Sequence, residues 1–596
     1  MTNRHTVATQ DAPAARTMLR GAPNFAQPTS PISTAVQESL DARVSRLQGR
    51  KEAWSAVSPR ERVVLVDATI ARFAALAERW VAACLNAKGI EPDNPAANEE
   101  WFLGPYTVFL CLRHLRQSLA EIAGGRRPNI PGPVTTRHDG QVVARVFPAT
   151  FYDRVLFNGL TAEVWMEPEV TIDNLAETQA VAYNRPSRSS KVALVLGAGN
   201  VSSIGVNDML YKLFVEDQVV LFKLNPVNAY LGPLLEETMD PLIERGFVQI
   251  VPGGAAEGAY LCAHTGIDEI HITGSDKTFD AIVFGPGEEG SARKRTRKPL
   301  LTKRITAELG NVSPVIVVPG PWSAGDLAYH ADLIAATLVN NAGFNCMTTR
   351  VIVQHESWSQ REALLQHVRR KLAAVPSRAA YYPGASERHA GFVRVHPGAE
   401  QLGTPGNGQL AWTLISGLDS ADEAEMCFST EAFCSLSAET AIAARDTIDY
   451  LQKAVAFVND KLWGTLAVTI LVHPALMKDP AVAAAVEQAI ADLRYGTVAV
   501  NYNAGFNYLL GSTTWGAFPG HDIYDVRSGL GSVHNALMFD RPQKSVLRAP
   551  FRVKPAPVWL ASRAHAANRV APLLAGLAAY PSLRKLPRII WASLKA

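Results

Sequence analysis

The stretch KVALVLGAGN, residues 191–200, decides the fold. Five apolar residues in a row run into glycine and then Asn200, which reads as a strand buried on both faces that stops at a tight turn. The pattern returns at QVVLFKLNP (218–226), VQIVPGG (248–254) and EIHITGS (269–275). Between these strands lie an amphipathic helix, LGPLLEETMDPLIERG, stopped by Gly246, and a shorter one, AAEGAYLCAH. Buried strands alternating with helices make a parallel sheet covered on both sides, an α/β architecture of Rossmann-like type. Ligands of such sheets sit at the carboxyl ends of the strands. Here those ends are GAGN, KLNP, PGG and TGS, all small or polar and suited to a cofactor.

Working outward, residues 1–35 are rich in Ala, Pro and Thr and read as a flexible arm. The start of the chain has no apolar core of secretory type; its arginines and scarcity of acids leave a transit segment as the alternative. Residues 36–304 form the expected dinucleotide-binding unit, helical up to about 125, with Ser58-Pro59-Arg60-Glu61 as a helix start. Within it, 131–190 is strand-like and proline-punctuated, an expected β insertion. The glycine-rich, then basic, run GPGEEGSARKRTRKPLLTKR (285–304) reads as a solvated surface loop. A second α/β block spans 305–500 from ITAELGNVSPVIVV onward, and 501–550 is expected to return to the first unit. From Arg541 to Ala596 there are eleven Lys or Arg and no Asp or Glu. The basic extension 551–596 therefore reads either as a tail packed on the body or as an interfacial helix on an anionic membrane.

Composition excludes several classes. Apolar residues at 47% and charged residues at 19% describe a globular chain, and a net charge of +3 gives no footprint for nucleic acid. The six cysteines show neither CxxC pairing nor His-rich spacing, which argues against structural zinc or a disulfide framework and fits a reducing cytoplasmic setting. No metal site is expected.

Chemistry concentrates in three strings: AELGN around Glu308, NNAGFNC ending at Cys346, and STEAFC with Glu431 and Phe433. Together with Asn200 and the ITGS at Gly274-Ser275, their order resembles the aldehyde dehydrogenase superfamily over roughly residues 40–550. ITGS is similar to that family's FTGS, AELGN to ELGG, NNAGFNC to NxGQxC, and EAF to ExF. The resemblance implies a cofactor domain, a catalytic domain and a small β oligomerisation element, assembled as a homodimer or homotetramer. It implies Cys346 as nucleophile, activated by partial ionisation, and Asn200 with the Cys346 backbone N–H as holders of the oxyanion. Glu308 becomes the base that activates water for thioester hydrolysis. For NAD or NADP it implies Lys223 on the adenosine ribose, Ser275 with Gly274 near the pyrophosphate, and Gly253 and Gly258 where a helix approaches the dinucleotide. Glu431 then falls on the nicotinamide ribose and Phe433 beside the nicotinamide. Val201, Gly205 and Asp208 fall where the family lines its substrate tunnel.

Departures from the family's strings matter. Pro226 stands where NAD-preferring members often carry a glutamate, so NADP stays open, and Asn311 and Cys434-Ser435 replace small family residues near the cofactor. Two other activities stay in view. One is an acylating or reductive enzyme using coenzyme A, which the glutamate at 308 disfavours. The other is a non-catalytic scaffold bound to membrane or partner, which the joint presence of Cys346, Glu308 and Asn200 disfavours.

Overall fold

The computed structural model describes residues 20–24, 31–185 and 190–595, so most of the N-terminal arm lies outside it. The helical region forms as its periodicity requires. Helix Pro59–Ala87 opens on a capping box, Ser58 Oγ accepting from Glu61 N at 3.3 Å while Ser58 N donates to the Glu61 carboxylate at 2.9 Å. Its buried stripe, which includes Val66, Ile70, Phe73 and Trp80, packs on helices Thr107–Ala123 and Gly232–Ile243.

An antiparallel element follows: β1 (Val134–Thr136), β2 (Val142–Phe147) and β3 (Thr161–Met166). The five apolar strands of the cofactor unit are β4 (Val192–Leu196), β5 (Val219–Lys223), β6 (Val248–Val251), β7 (Glu269–Thr273) and β8 (Arg304–Glu308). They pair in parallel in the order β8-β7-β4-β5-β6, and the short segment Gly529–Leu530 closes the β8 edge antiparallel. Leu194, Val220 and Ile270 are fully buried, as a sheet covered on both faces demands.

The second α/β block adds β9 (Ser313–Val317), β10 (Thr349–His355), β11 (Glu400–Leu402), β12 (Trp412–Asp419), β13 (Leu436–Ile442), β14 (Ala467–Leu471), β15 (Thr497–Val500) and β16 (Pro542–Arg548). Its sheet has eleven strands, ordered β1-β2-β3-β16-β15-β14-β9-β10-β13-β12-β11. The antiparallel element thus continues this sheet within one chain, because β16 pairs with β15 on one side and β3 on the other.

One expectation changes, and for the C-terminal extension the reading of a tail packed on the body holds. The run 285–304 is not a loop throughout: Gly287–Arg295 is a surface helix with Glu288 and Glu289 in its first turn and Arg293, Lys294 and Arg295 in its last. That order suits the helix dipole at both ends, and the charges pair among themselves and with Asp280. The C-terminal extension also folds. Helix Ala564–Ala579 buries Ala567, Val570, Ala571 and Ala575 against Asn98–Trp101 and Thr107–Ala123, and a second helix, Leu586–Leu594, packs on the first. Most of the extension is body, not tail. Among the described residues, no helix is long and apolar enough to cross a membrane.

Candidate active site

Three consecutive left-handed residues, Asn341 (φ 49°), Ala342 (φ 54°) and Gly343 (φ 80°), turn the chain into Cys346. Non-glycine residues hold such angles only where surroundings enforce them. The enforcement is visible. The buried guanidinium of Arg350 donates to Gly343 O at 2.5 Å, Cys434 O at 2.6 Å and Leu436 O at 3.0 Å. A Cβ on Gly343 would lie 2.4 Å from Cys434 O, so only glycine passes there. Asn341 N donates to Glu99 at 2.8 Å, and Ser313 Oγ donates to Cys346 O at 3.0 Å.

On this loop Cys346 is half-buried, and its thiol donates to Glu308 Oε1 at 3.1 Å from the end of β8. Glu308 is buried, and its Oε2 has no hydrogen-bond partner among the described residues. Burial first, and the nearby Asp208 charge second, push its carboxyl up to about 7. The Cys346 thiol is pushed well above its usual value by burial and by Glu308 itself. Burial and the neighbouring Glu308 thus work against the partial ionisation expected of this thiol. Asn200, at the turn after β4, is buried beside them, one amide hydrogen donated to Phe344 O at 2.8 Å.

Cys346, Glu308 and Asn200 lie where two cavities meet. The larger encloses about 510 Å³ and is mostly apolar. Val201 lines it as expected, but Gly205 and Asp208 do not. Gly205 sits under the Phe222 ring, and a Cβ there would lie 2.5 Å from it. Asp208 is buried between His534 at 3.1 Å and His271 at 3.5 Å; burial works to raise its carboxyl, and the two histidines outweigh that and hold it well below the carboxylate range. Ile204 takes the lining position instead.

The smaller cavity, about 40 Å³, collects Gly274, Ser275, Glu431 and Phe433. Glu431 is buried with Oε1 unpartnered among the described residues, and burial pushes it up to about 8. It lies so close to Gly310 that a Cβ there would come within 2.1 Å of Oε2. Ser275 caps helix Asp276–Phe284, accepting from Lys277 N at 3.1 Å and Thr278 N at 3.3 Å. Lys223, Gly253 and Gly258 line neither cavity and sit farther along the carboxyl edge, Lys223 Cδ being 3.8 Å from where a Gly258 Cβ would be. Burial lowers the Lys223 ammonium to about 8. Small strand ends, a buried amine and an unpartnered buried carboxylate fit a dinucleotide.

One segment already lies in that groove. Gly21 N donates to Ser429 O at 2.8 Å, Glu431 N donates to Gly21 O at 2.9 Å, and Ala22 N donates to Asp276 at 3.0 Å. Ala22 and Pro23 line the smaller cavity with Gly274, Ser275 and Glu431. Residues 20–24 are therefore seated, not free, although the sequence placed them in a flexible arm.

Several partners escaped sequence reasoning. Lys88 and Glu100 form a buried ion pair at 2.7 Å, and Lys88 Nζ also donates to Asn341 Oδ1 at 3.0 Å and Asn200 O at 3.4 Å. Asn311 does not reach the cofactor groove; it turns inward to Ser313 Oγ at 2.7 Å and Ala467 O at 3.0 Å. Away from both cavities, His396, Glu425 and Cys427 place their donor atoms within 4.8 Å of one another, with Glu425 capping Cys427 N at 2.6 Å.

Known proteins share part of this sequence and its fold. The profile of the aldehyde dehydrogenase family matches residues 220–395. An N-succinylglutamate 5-semialdehyde dehydrogenase of Novosphingobium aromaticivorans is 27% identical over 200 residues, 33% of this chain and 38% of its own length. Retinal dehydrogenase 2 of Mus musculus is 31% identical over 138 residues, 23% of each chain. The chain thus matches well under half the length of these relatives. Across 87% of this chain the fold is shared with an NAD-dependent aldehyde dehydrogenase from Sinorhizobium meliloti, at TM-score 0.57, 17% identity and 88% of that chain. A Mycobacterium tuberculosis aldehyde dehydrogenase complexed with NAD+ gives TM-score 0.56 at 17% identity, covering 87% of this chain and 91% of its own. Residues 220–395 thus resemble the aldehyde dehydrogenase family in sequence, and the chain as a whole shares the fold of aldehyde dehydrogenases.

Proposed function

We propose that the protein oxidises an aldehyde to a carboxylic acid with NAD+ or NADP+. The observation that carries this reading is the 3.1 Å contact between Cys346 Sγ and Glu308 Oε1 where the two cavities meet. Glu308 takes the thiol proton as the sulfur attacks the carbonyl carbon, giving a thiohemiacetal. The Asn200 amide, with one hydrogen already donated to Phe344 O, and the Cys346 backbone N–H would hold the developing oxyanion, a contact worth about 3–4 kcal/mol in comparable sites. When bound, the oxidised nicotinamide accepts the hydrogen and two electrons that leave the aldehyde carbon. Gly274, Ser275 and Glu431 would hold it, Lys223 its adenosine end, and residues 20–24 must withdraw for it to enter. Glu308 releases the thiol proton to solvent before deacylation; it then accepts a proton from the water that attacks the thioester carbon and passes it to the departing thiolate, which restores the thiol as the carboxylic acid leaves. A carboxyl pushed up to about 7 is well matched to accepting protons near neutrality.

Cys346→Ala should abolish aldehyde-dependent NAD(P)H formation while the melting temperature stays within a few degrees. Turnover by that variant would overturn the assignment. Glu308 favours hydrolysis over transfer to coenzyme A; a coenzyme A ester as the main product would reverse that choice. From the family resemblance we also infer a homo-oligomer, a dimer or tetramer, and a monomer in sedimentation velocity would refute it.

The last helix supports a peripheral membrane contact. Leu583, Trp591 and Leu594 are exposed beside Arg584, Lys585, Arg588 and Lys595, with no acid from 541 onward. An apolar ridge among bases matches an anionic lipid surface. Co-sedimentation with phosphatidylserine-containing vesicles should fall in a Trp591→Ser, Leu594→Ser variant. If wild type does not sediment, or the variant sediments equally, the contact is wrong.

A further inference from the structure

The larger cavity has a wall that only the C-terminal extension supplies. Cys346 and Glu308 line it together with Leu103, Ile204, Met347 and Phe506 of the body, and Trp559, Ala561, Ala564 and His565 of the extension complete the lining. That wall is fixed in place. The Trp559 indole packs edge-on to Tyr502 at 5.1 Å and beside Phe506 at 5.1 Å, and its N–H donates to the Tyr502 hydroxyl at 2.9 Å. Ser562 N donates to Asp332 at 3.1 Å, and Asn98 Nδ2 donates to Ala564 O at 3.5 Å. Behind the wall, the buried face of helix Ala564–Ala579 is packed into the body.

The charges on the lining are spent on the protein itself. Arg378 pairs with Glu99 at 2.7 Å and also donates to Val339 O at 3.3 Å, and Lys371 pairs with Asp332 at 3.1 Å. Glu99 accepts in addition from Asn341 N. Drawing either cation toward a substrate carboxylate would strand a buried acid, which is costly. Among the described residues, His565 is the one other basic side chain on the lining, at the exposed start of the same helix.

We propose that this cavity takes a neutral aldehyde with a long apolar chain, and that the extension, through Trp559 and Ala564, sets the limit of chain length. The inference rests on the aldehyde-oxidising reading and names its substrate class. An anionic semialdehyde, such as the substrate named for one of the relatives, would find no unspent guanidinium or ammonium among the described residues here. A volume of about 510 Å³ holds a chain of many carbons, and a mostly apolar lining with a few polar groups at the reacting end is what such a ligand requires.

The experiment measures kcat/KM for butanal, octanal, dodecanal and succinic semialdehyde with the full chain and with Ala564→Phe. In the wild type kcat/KM should climb by up to about fourfold per added methylene before levelling off, since each buried methylene adds favourable transfer free energy. Ala564→Phe should lower the dodecanal-to-butanal ratio of kcat/KM by about tenfold or more. Preference for succinic semialdehyde, indifference to chain length, or an unchanged ratio in the variant would each overturn the proposal while leaving aldehyde oxidation standing. If no aldehyde is oxidised, the catalytic reading fails instead, and calorimetry with dodecan-1-ol decides the cavity separately. Binding weakened by Ala564→Phe supports it, and absence of binding refutes it.

Discussion

At the scale of single residues, the site works with two buried groups that share one proton. With burial pushing Glu308 up to about 7 and the thiol well above its usual value, Glu308 passes between acid and carboxylate near neutrality while the sulfur favours its proton. The catalytic form needs Glu308 ionised, so kcat/KM should rise with pH through about 7. Glu308→Gln should remove that step from the pH profile and lower kcat by about 10²–10⁴; a variant that keeps the wild-type profile would exclude Glu308 as the base. The same burial has a stability consequence. Glu308 and Glu431 bind protons more tightly folded than unfolded, so their contribution is full below the ordinary carboxyl value and is lost as pH rises through about 7 and about 8. Lys88 differs: burial works against its charge, Glu100 outweighs it, and its ammonium is raised. Lys88→Met would leave Glu100 buried and unpaired, costing about 3–5 kcal/mol, and Glu100→Gln in the same chain should recover part of the loss in urea melts. Cys346 and Glu308 were legible in the sequence because each sits in a short string; Lys88 and Glu100 were not, since a helical Lys and Glu normally face water.

At the scale of elements, residues 20–24 are the unexpected piece. They form a bridge to Thr430 and occupy the groove that Gly274, Ser275 and Glu431 should offer a dinucleotide. A cofactor that displaces them would have its apparent affinity reduced by the fraction of molecules in which the groove is open. Deleting residues 1–30 should therefore tighten NAD(P)+ binding, by about tenfold if the seated form dominates to that extent. Gly21→Val should act in the same direction, because Gly21 has φ 100° and a Cβ there would lie 2.3 Å from the Asp276 carboxylate. Equal dissociation constants for all three proteins in calorimetry would show that the segment does not compete. The sequence read this stretch as an arm for a sound reason: Ala, Pro and Thr carry no periodic pattern. Its three main-chain hydrogen bonds use groups every residue has, and composition cannot see them.

At the scale of the whole molecule, the C-terminal extension is part of the body and of the cavity wall. Val570 is 1% exposed, so Val570→Asp should cost several kcal/mol and lower the melting temperature of the entire protein, whereas a detached tail would leave the melt unmoved. The β1–β3 element likewise joins the sheet of the second α/β block through β16, tying residues near 160 to residues near 545. By itself the sequence determined the alternation of strands and helices, the glycine-rich strand ends, the capped helix starts and the strings around Glu308, Cys346 and Glu431. These are local: periodicity of 2 or 3.6, turn chemistry and a few residues of spacing fix them. Tertiary structure alone decided that Glu308 touches the Cys346 thiol, that burial pushes that thiol up, that Lys88 holds the loop, that residues 20–24 line the groove and that the extension lines the cavity. Each of these depends on desolvation or on contact between distant segments, and burial is a property of the packed chain that no short stretch carries.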